Sequence, residues 1–385
     1  MNVVLSVPGK FHTFDLAREL HSRHALKAIF TGYPRFKLDN ERLPDDKIHT
    51  WPWVQGSYMA MPKRHWLGAR LVREWEWLAK TTLDAHVARQ MPECDVFVGL
   101  SGSALRSGQQ ARSRGAKYVC DRGSSHIRLQ DTLLREESQR WGIAFEGIDP
   151  RVIEREEAEY AEADRITVPS SFSVRSFVQA GVPAHKLSML PYGVNLDMFK
   201  PTGTPAAHRF DVLYVGGMNL NKGIPYLLEA YRMLEHPLKS LTLAGVPSLQ
   251  FIERMKAHRL WPDDIRLLGH VPQPELKELM SRSHAMVLPS VQDGFGMVLS
   301  QAMACGCVVI GSEHTGAQDL FDDGQEGFIV PIRQSQAIAQ RLQLLADCPD
   351  LRQDMSQKAL MRVQSAGGWR DYGQAASNIF QGLLT

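Results

Sequence analysis

The chain has 385 residues, of which 44% are hydrophobic and 22% charged, and its formal net charge is +2. This length predicts two domains, the composition is typical of a folded protein, and the nearly neutral charge gives no support for a nucleic-acid partner. Five scattered cysteines form neither a disulfide framework nor a CxxC metal site, and no apolar run reaches the ~18–20 residues of a membrane span. We therefore expect a cytoplasmic protein without a signal peptide, with any membrane contact peripheral at the inner face.

The first half of the chain alternates short apolar runs with segments of helical spacing. Residues 2–7 form a β-branched run that ends at a proline and a glycine, and residues 11–24 then place apolar side chains at helical intervals. The same unit recurs, with further strands predicted at 94–98, 117–120 and 165–169. Alternation of this kind predicts an α/β fold in which helices cover both faces of a parallel sheet.

A second series of strands and helices follows a linker at 199–208 that is rich in proline, glycine and small residues. Its strands are predicted at 211–216, 241–245, 265–269, 285–289 and 307–311. We therefore expect two doubly wound domains, residues 1–200 and 201–368. Ligands of such sheets lie at the carboxyl ends of the strands, which predicts a site in the cleft between the domains.

The segment from Val215 to Gly223 has the features of a diphosphate cradle. It links a predicted strand to a predicted helix; Gly216 and Gly217 would let the backbone approach a phosphate, and Lys222 would supply a positive charge near the helix N-terminus. For a lone glycine pair, a tight connection with an exposed lysine is the commoner explanation.

A second segment begins at Asp293, after a predicted strand, and leads into a helix predicted from about Met297 and closed by Gly306. Asp293 and Gln301 would both lie near the N-terminus of this helix, where an anionic ligand is favoured. Taken alone, a helix cap explains Asp293 equally well, and a solvent-exposed helix face explains Gln301.

The order of these segments resembles glycosyltransferase family four, which comprises retaining enzymes of the GT-B fold. The likeness rests on residues 214–234 and 288–331, and it extends to 159–164, 168–172 and 190–199. It implies two Rossmann-like domains facing each other across a cleft, with a last helix at about 369–385 that packs back on the first domain. It also implies a UDP- or GDP-linked sugar as donor, a glycan or lipid-linked acceptor, and no cofactor or metal.

The resemblance assigns donor contacts in the second domain, and two positions depart from the family pattern. Asp293 and Gln301 stand where the family has a Glu-x7-Glu pair, whose first member contacts donor-sugar hydroxyls and whose second contacts the ribose. Gly217 stands where many members carry an arginine that joins Lys222 on the diphosphate. Because charge-assisted hydrogen bonds are the stronger kind, both departures predict a weaker hold on the donor. The resemblance adds three further donor contacts, Phe295, Gly296 and Met297.

In the first domain the resemblance points to two loops. Gly9, Lys10 and His12 belong to the first glycine loop, which faces the donor phosphates and the acceptor. His126 matches the family histidine that lies near the donor sugar across the cleft. Arg122 is a candidate contact for phosphate or acceptor, with a salt bridge as the equally weighted alternative.

The chemistry implied by the resemblance is glycosyl transfer with retention at the anomeric carbon. Lys222 balances the charge that grows on the leaving diphosphate, Asp293 orients the sugar and His126 lines the reacting face. The leaving phosphate itself takes the proton of the acceptor. Two alternatives remain, a sugar-nucleotide epimerase-like enzyme of the same fold and a non-catalytic nucleotide-sugar-binding protein.

Tryptophans and basic residues are interleaved in the stretch 51–77. They are Trp51, Trp53, Trp66, Trp75 and Trp77, with Lys63, Arg64, Arg70 and Arg73. Such interleaving suits contact with an anionic membrane surface, and a core helix with a solvated basic face is the alternative.

Overall fold

The structure is a computed structural model that describes residues 1–60 and 68–385. Its first sheet has seven parallel strands in the spatial order β3-β2-β1-β4-β5-β6-β7. The strands are β1 Val3–Val7, β2 Leu26–Thr31, β3 Ile48–Thr50, β4 Val96–Leu100, β5 Lys117–Asp121, β6 Arg165–Val168 and β7 Leu187–Met189. The central strands are buried on both faces, which explains their continuous apolar sequence.

The second sheet has six parallel strands in the order β10-β9-β8-β11-β12-β13. These are β8 Phe210–Val215, β9 Lys239–Ala244, β10 Ile265–Leu267, β11 Ala285–Leu288, β12 Val308–Ser312 and β13 Gly327–Val330. Two parallel sheets with helical crossovers confirm the predicted α/β class of two doubly wound units. The sequence patterns did not predict β2, β3, β7 or β13.

Helices pack on the faces of the two sheets. Those before the linker are α1 Thr13–Ser22, α2 Gln55–Ala60, α3 Ala69–Gln90, α4 Leu105–Ser113, α5 Ile127–Trp141, α6 Pro150–Glu162 and α7 Ser171–Gln179. Those after it are α8 Ile224–Met233, α9 Leu249–Ala257, α10 Gln273–Arg282, α11 Met297–Ala304, α12 Ala317–Leu320, α13 Ser335–Asp347, α14 Pro349–Ala366 and α15 Trp369–Gln381. Within residues 1–60 and 68–385, no helix is long and apolar enough to cross a membrane.

The last helix, α15, returns to the first sheet. Tyr372, Ala376 and Phe380 of α15 are buried in one apolar cluster with Phe14 and Leu20 of α1. The C-terminal helix thus completes the core beneath the first sheet although the preceding helix, α14, packs in the second domain.

Helix α5 departs from the expected division of the chain at residue 200. Leu133 and Trp141 of α5 lie in the apolar core of the second domain. Between them, the fully buried Glu137 accepts hydrogen bonds from Tyr226 Oη (2.9 Å), Trp141 Nε1 (3.2 Å) and Arg333 Nε (2.6 Å). A buried carboxylate with three donors satisfies its need for partners, so α5 anchors one domain to the other.

Candidate active site

The two charged residues predicted for the donor site meet at the carboxyl edge of the second sheet. Lys222 follows β8 and Asp293 follows β11, and these two strands are neighbours. The Lys222 Nζ lies 2.5 Å from Asp293 Oδ2, and the other carboxylate oxygen accepts the N–H of Gly294 at 2.9 Å. Both side chains keep partial exposure, 22% for Lys222 and 15% for Asp293, although neither is among the residues that line the cleft between the domains.

The glycine loop before Lys222 is fixed by hydrogen bonds of its own. Gly216 has φ +144°, and its N–H extends the β8–β9 ladder by donating to the carbonyl of Ala244 at 3.0 Å. The Tyr214 hydroxyl donates to the carbonyl of Gly217 at 2.6 Å. The N–H of Gly216 therefore already has a partner, whereas the predicted close approach of this backbone to a phosphate stays a prediction, as does Gly217, which is exposed.

Two further predicted donor contacts are engaged in packing. Phe295 is 6% exposed, and its ring meets the edge of Tyr192 from the first domain at a centroid distance of 5.5 Å. The N–H of Gly296 donates to the carbonyl of Thr315 at 2.8 Å. Phe295 and Gly296 thus hold the loop 289–296, called the donor loop below, in place, and their direct contact with the donor stays a prediction.

The donor loop also packs against the first domain. A Cβ at Gly294 would lie 1.9 Å from the carbonyl oxygen of Gly123, so only glycine fits this approach of two backbones. Gln292 Nε2 donates to Ser124 Oγ at 2.6 Å, and Ser170 Oγ donates to the Gly294 carbonyl at 2.7 Å. These contacts close one side of the space between the domains.

The remaining space is a cleft of about 1000 Å³ that both domains line. Five of the predicted site residues line it, namely Lys10, His12 and Arg122 from the first domain and Met297 and Gln301 from the second. Its other lining residues include Phe11, Asp15, Arg18, Glu41, Ser101, Gly123, Ser124, Tyr192, Asn195, Gln273 and Trp369. The structure thus brings the predicted first-domain loop opposite the predicted donor helix.

His12 forms a hydrogen bond that the sequence did not reveal. Its Nε2 lies 2.6 Å from Asp121 Oδ2, and less than a tenth of either side chain is exposed. The imidazole also lies against the ring of Tyr192, with centroids 4.2 Å apart. The sequence does not indicate Asp121 or Tyr192 as a partner of His12, because 109 positions separate His12 from Asp121. The sequence does show Asp121 at the carboxyl end of a buried strand, which is where such sheets bind their ligands.

The other charged residues of the first-domain loops are held by carboxylates. The guanidinium of Arg122 lies 2.8 Å from Glu156 and also donates to Gln130 Oε1 at 2.6 Å. Lys10 forms an ion pair with the buried Glu41. The salt-bridge alternative therefore holds for Arg122. Its guanidinium pairs with Glu156, and the residue also lines the cleft.

His126 is not among the residues that line the cleft. It caps the N-terminus of α5, where its Nδ1 accepts the N–H of Arg128 at 3.3 Å. Its ring is 3% exposed and packs between Tyr160 and Phe177, with centroid distances of 5.2 and 5.0 Å. Burial lowers the pKa of His126, so the imidazole stays neutral in this packing. In this structure His126 caps α5, and its predicted catalytic role stays a prediction.

Gly9 also lies outside the cleft lining. A Cβ at Gly9 would meet the ring of Phe11 at 2.8 Å, so the glycine lets Phe11 fold over the loop. Phe11, which is 53% exposed, lines the cleft in its place.

The two facing domains of parallel strands have the GT-B fold, and solved structures share it over the whole chain. Sucrose-phosphate synthase from Thermosynechococcus elongatus matches with a TM-score of 0.76 at 20% identity, covering 100% of this chain and 99% of that one. The Anabaena protein HepE, in complex with UDP, matches with a TM-score of 0.71 at 16% identity, covering 99% and 100%. The predicted GT-B architecture is confirmed.

Sequence similarity concentrates in the second domain, where residues 200–362 match the family model of glycosyl transferases group 1. A glycogen synthase of Mycobacterium tuberculosis is 29% identical over 174 residues, which are 44% of this chain and 42% of that protein. D-inositol 3-phosphate glycosyltransferase of Pseudarthrobacter chlorophenolicus is 25% identical over 304 residues, 70% of this chain and 72% of that protein. The match with the glycogen synthase thus spans less than half of that relative.

Proposed function

We propose that this protein is a retaining glycosyltransferase that moves a sugar from a nucleotide-diphosphate donor to a hydroxyl of a glycan or lipid-linked acceptor. The observation that carries the proposal is the cleft, which Gln301 of the second domain and His12 of the first domain both line. The family match of residues 200–362 supports it from the sequence. Retention at the anomeric carbon rests on the resemblance to family four.

In the proposed reaction, Lys222 binds the donor diphosphate and balances the negative charge that grows on it as the glycosidic bond breaks. Because Lys222 already pairs with Asp293, a bound diphosphate has to share the ammonium group with this carboxylate. Asp293 then turns towards the hydroxyls of the sugar, which a carboxylate accepts well. Gln301 binds the ribose. The ion pair therefore couples binding of the diphosphate to placement of the sugar.

A panel of nucleoside diphosphates in a thermal-shift assay tests donor binding. A ligand at about 100 times its dissociation constant adds ~2.7 kcal/mol to the free energy of unfolding. HepE was solved with UDP and with UDP-glucose, so UDP is the first probe. We expect one nucleotide to raise the melting temperature clearly, whereas a panel without any shift would contradict the proposal.

Turnover assays separate the proposed enzyme from its alternatives. The donor is incubated alone and with candidate acceptors, and nucleotide release and the sugar product are followed by chromatography and NMR. An isomerised nucleotide sugar without acceptor would indicate an epimerase, and binding without turnover would indicate a binding protein. The anomeric configuration of the product tests retention directly.

We also propose that the reaction needs no divalent metal, because Lys222 supplies the positive charge that a cation would bring to the diphosphate. The expected result is a rate that chelator leaves within about twofold, since the charge neutralised by Lys222 does not depend on a cation. A rate that chelator abolishes and Mg²⁺ or Mn²⁺ restores would overturn this part of the proposal.

Peripheral contact with anionic membrane through the stretch 51–77 remains a proposal, and three of its residues, Lys63, Arg64 and Trp66, lie outside the described residues. Trp53 is 72% exposed and Leu71 is 57% exposed, which suits insertion at a lipid interface. Trp77 lies instead beneath the guanidinium of Arg151 at 5.0 Å, and Trp75 donates to the Val54 carbonyl. Co-sedimentation with anionic liposomes should fall with salt and in Trp53→Ser.

A further inference from the structure

The first domain places three cationic side chains in the cleft. Lys10 follows β1, Arg18 lies on α1, and Arg42 follows the short turn Asp39–Glu41, and all three line the cleft. They come from the segments after β1 and β2, at the carboxyl edge of the first sheet, where sheets of this kind bind their ligands. Lys10, Arg18 and Arg42 are together called the cationic cluster.

The buried carboxylate of Glu41 holds two of these cations side by side. One of its oxygens pairs with the ammonium group of Lys10, and the other accepts a hydrogen bond from Arg18 Nη1 at 2.6 Å. Only 4% of the Glu41 side chain is exposed, whereas Lys10 keeps 44% and Arg18 keeps 34%. Because both cations share one carboxylate, they lie close together, and the exposed part of each stays open to a second anion.

Arg42 is the member of the cluster that has no partner. Its side chain is exposed and, within residues 1–60 and 68–385, forms no hydrogen bond or ion pair. Its backbone has φ +54°, in the left-handed region that residues other than glycine rarely adopt. Because Arg42 follows Glu41 directly in the chain, the residue that holds the other two cations also fixes the position of the third.

The charges around the cluster do not cancel. Three cations stand against two carboxylates, Asp15 and Glu41, and both of these pair with Arg18. The surplus is one positive charge, and it lies on Arg42. Guanidinium groups match phosphate oxygens through two parallel hydrogen bonds, and a cleft concentrates the field of its charges. The cationic cluster therefore favours an anionic ligand, and a phosphate group in particular.

The position of the cluster indicates which substrate brings this phosphate. In the proposed function the diphosphate of the donor binds Lys222, which belongs to the second domain. The cationic cluster belongs to the first domain and lines the cleft together with Met297 and Gln301 of the second. A phosphate bound there is separate from the donor diphosphate, so it comes with the acceptor.

We propose that the acceptor carries a phosphate group and that Lys10, Arg18 and Arg42 bind it. This inference rests on the proposed glycosyl transfer and names the chemical class of its acceptor. The phosphate belongs to a soluble phosphorylated sugar or polyol, or to a lipid headgroup, which offers the same oxygens. It takes no part in making or breaking bonds, and its role is to orient the acceptor hydroxyl towards the donor sugar.

The first experiment measures anion binding by isothermal titration of inorganic phosphate into the full-length protein. The protein is saturated with UDP, or with whichever nucleoside diphosphate gives the largest thermal shift, so that the diphosphate site is occupied. Arg42→Gln and Lys10→Gln each remove one cation. Arg259→Gln is the matched control, because Arg259 is also exposed, has φ +56° and does not line the cleft. Circular dichroism checks that each variant is folded.

We expect the UDP-saturated wild type to bind phosphate with a dissociation constant of about 1 mM, in the range of a few charge-assisted hydrogen bonds. Arg42→Gln and Lys10→Gln should each weaken phosphate binding about 10-fold, the value of one hydrogen bond to a charged group. Arg259→Gln should match the wild type. Affinity for UDP should stay unchanged in Arg42→Gln, because Arg42 is not part of the donor site.

The second experiment identifies the source of the phosphate by transfer from UDP-glucose, or from the sugar conjugate of the nucleotide that binds. The soluble pair of acceptors is glucose 6-phosphate and glucose. The lipid pair is phosphatidylinositol and glucosyl diacylglycerol, each in phosphatidylcholine vesicles. In the pair that contains the right source, kcat/KM should be about 10-fold higher for the phosphorylated member, and Arg42→Gln should remove most of this preference. If neither pair is used, phosphate binding alone decides.

Three outcomes would overturn the inference while leaving the proposed function in place. They are a UDP-saturated wild type that binds no phosphate, phosphate binding that Arg42→Gln leaves intact, and equal transfer to both members of a pair. A fall in UDP affinity that matches the fall in phosphate affinity in Arg42→Gln would instead assign the cluster to the donor. A wild type that binds no nucleoside diphosphate removes the proposed function itself.

Discussion

The two sides of the proposed site, here called its walls, are built in different ways. On the donor wall, Gln301 lines the cleft, whereas Asp293, from the same short segment, and Lys222, on the neighbouring loop of the same sheet, are not among the residues that line it. On the opposite wall, His12 depends on Asp121, more than a hundred positions away. A local motif therefore defines the donor wall, whereas only the folded sheet assembles the other.

The walls also differ in how tightly their charges are held. The Lys222–Asp293 pair is partly exposed, and such pairs contribute only about 0–1 kcal/mol, so a ligand can exchange one partner. The His12–Asp121 pair is less than a tenth exposed and is continued by a buried threonine. We infer that the donor wall rearranges on binding and that the facing wall is pre-organised.

The largest expected effect is that of Lys222→Ala. Because Lys222 meets the diphosphate before and during bond cleavage, nucleotide affinity and turnover should fall together, and kcat/KM should fall about 1000-fold. Isothermal titration with UDP and steady-state kinetics measure the two losses, with the exposed Lys256→Ala as control. Intact binding and turnover in Lys222→Ala would remove it from the donor wall.

Asp293→Ala should separate chemistry from nucleotide binding. Loss of its contact with the transferred sugar should lower kcat about 100-fold. Because the variant also releases Lys222 from its ion pair, affinity for free UDP should rise about twofold to fivefold, the value of one accessible pair. Titration with UDP measures this rise against the exposed Asp263→Ala, and a loss of UDP binding would contradict the assignment.

Gly294→Ala tests whether the two walls need their close approach. The added Cβ would meet the Gly123 carbonyl at 1.9 Å, so the backbones must separate. We expect a loss of about 1–3 kcal/mol in the free energy of unfolding, as for other overpacked sites, and a fall in kcat of about 10-fold from misplaced groups. Gly382→Ala, whose Cβ meets nothing nearer than 3.4 Å, is the matched control for thermal unfolding and kinetics.

The smallest effect is expected for Gln301→Ala. A neutral hydrogen bond to the ribose is worth about 0.5–1.5 kcal/mol, so KM for the donor should rise about 3-fold to 10-fold with kcat nearly unchanged. Free UDP should lose affinity by the same factor. The exposed Gln340→Ala provides the comparison, and a fall in kcat without a change in KM would place Gln301 at the sugar instead.

Most of the fold could be predicted because strands buried on both faces carry mostly apolar sequence. β1, β5, β6, β8 and β11 were found in this way, within one or two residues of their bounds. The short edge strand β3 was not, because it has only three residues and its middle residue is exposed. Three of the four strands that the sequence patterns missed, β3, β7 and β13, lie at the edges of the sheets.

The site was predictable only in part. Gln301 and His12 reached the cleft because glycine-containing loops after strands lie at the carboxyl edge of a sheet. His126 has the same kind of position after β5, but its ring turns into the core and caps α5. Side-chain direction at a loop depends on tertiary packing, which no spacing rule encodes. The hydrogen bond from the Gly216 N–H to the Ala244 carbonyl was not anticipated either, because it depends on which strand pairs with β8.

The anchoring of α5 sets the conditions for exchanging donor domains between related enzymes. If the second domain is grafted onto another enzyme at the 199–208 linker, α5 stays with the first domain. The grafted domain then exposes the apolar pocket that held Leu133 and Trp141. Glu137 would then lose its partners in the second domain, Tyr226 and Arg333, and breaking a buried ion pair typically costs about 3–5 kcal/mol. A working chimera should therefore transfer residues 127–141 together with the second domain and leave α15 with the first. Because α5 packs in the core of the second domain, we expect the two domains to unfold together in a single thermal transition.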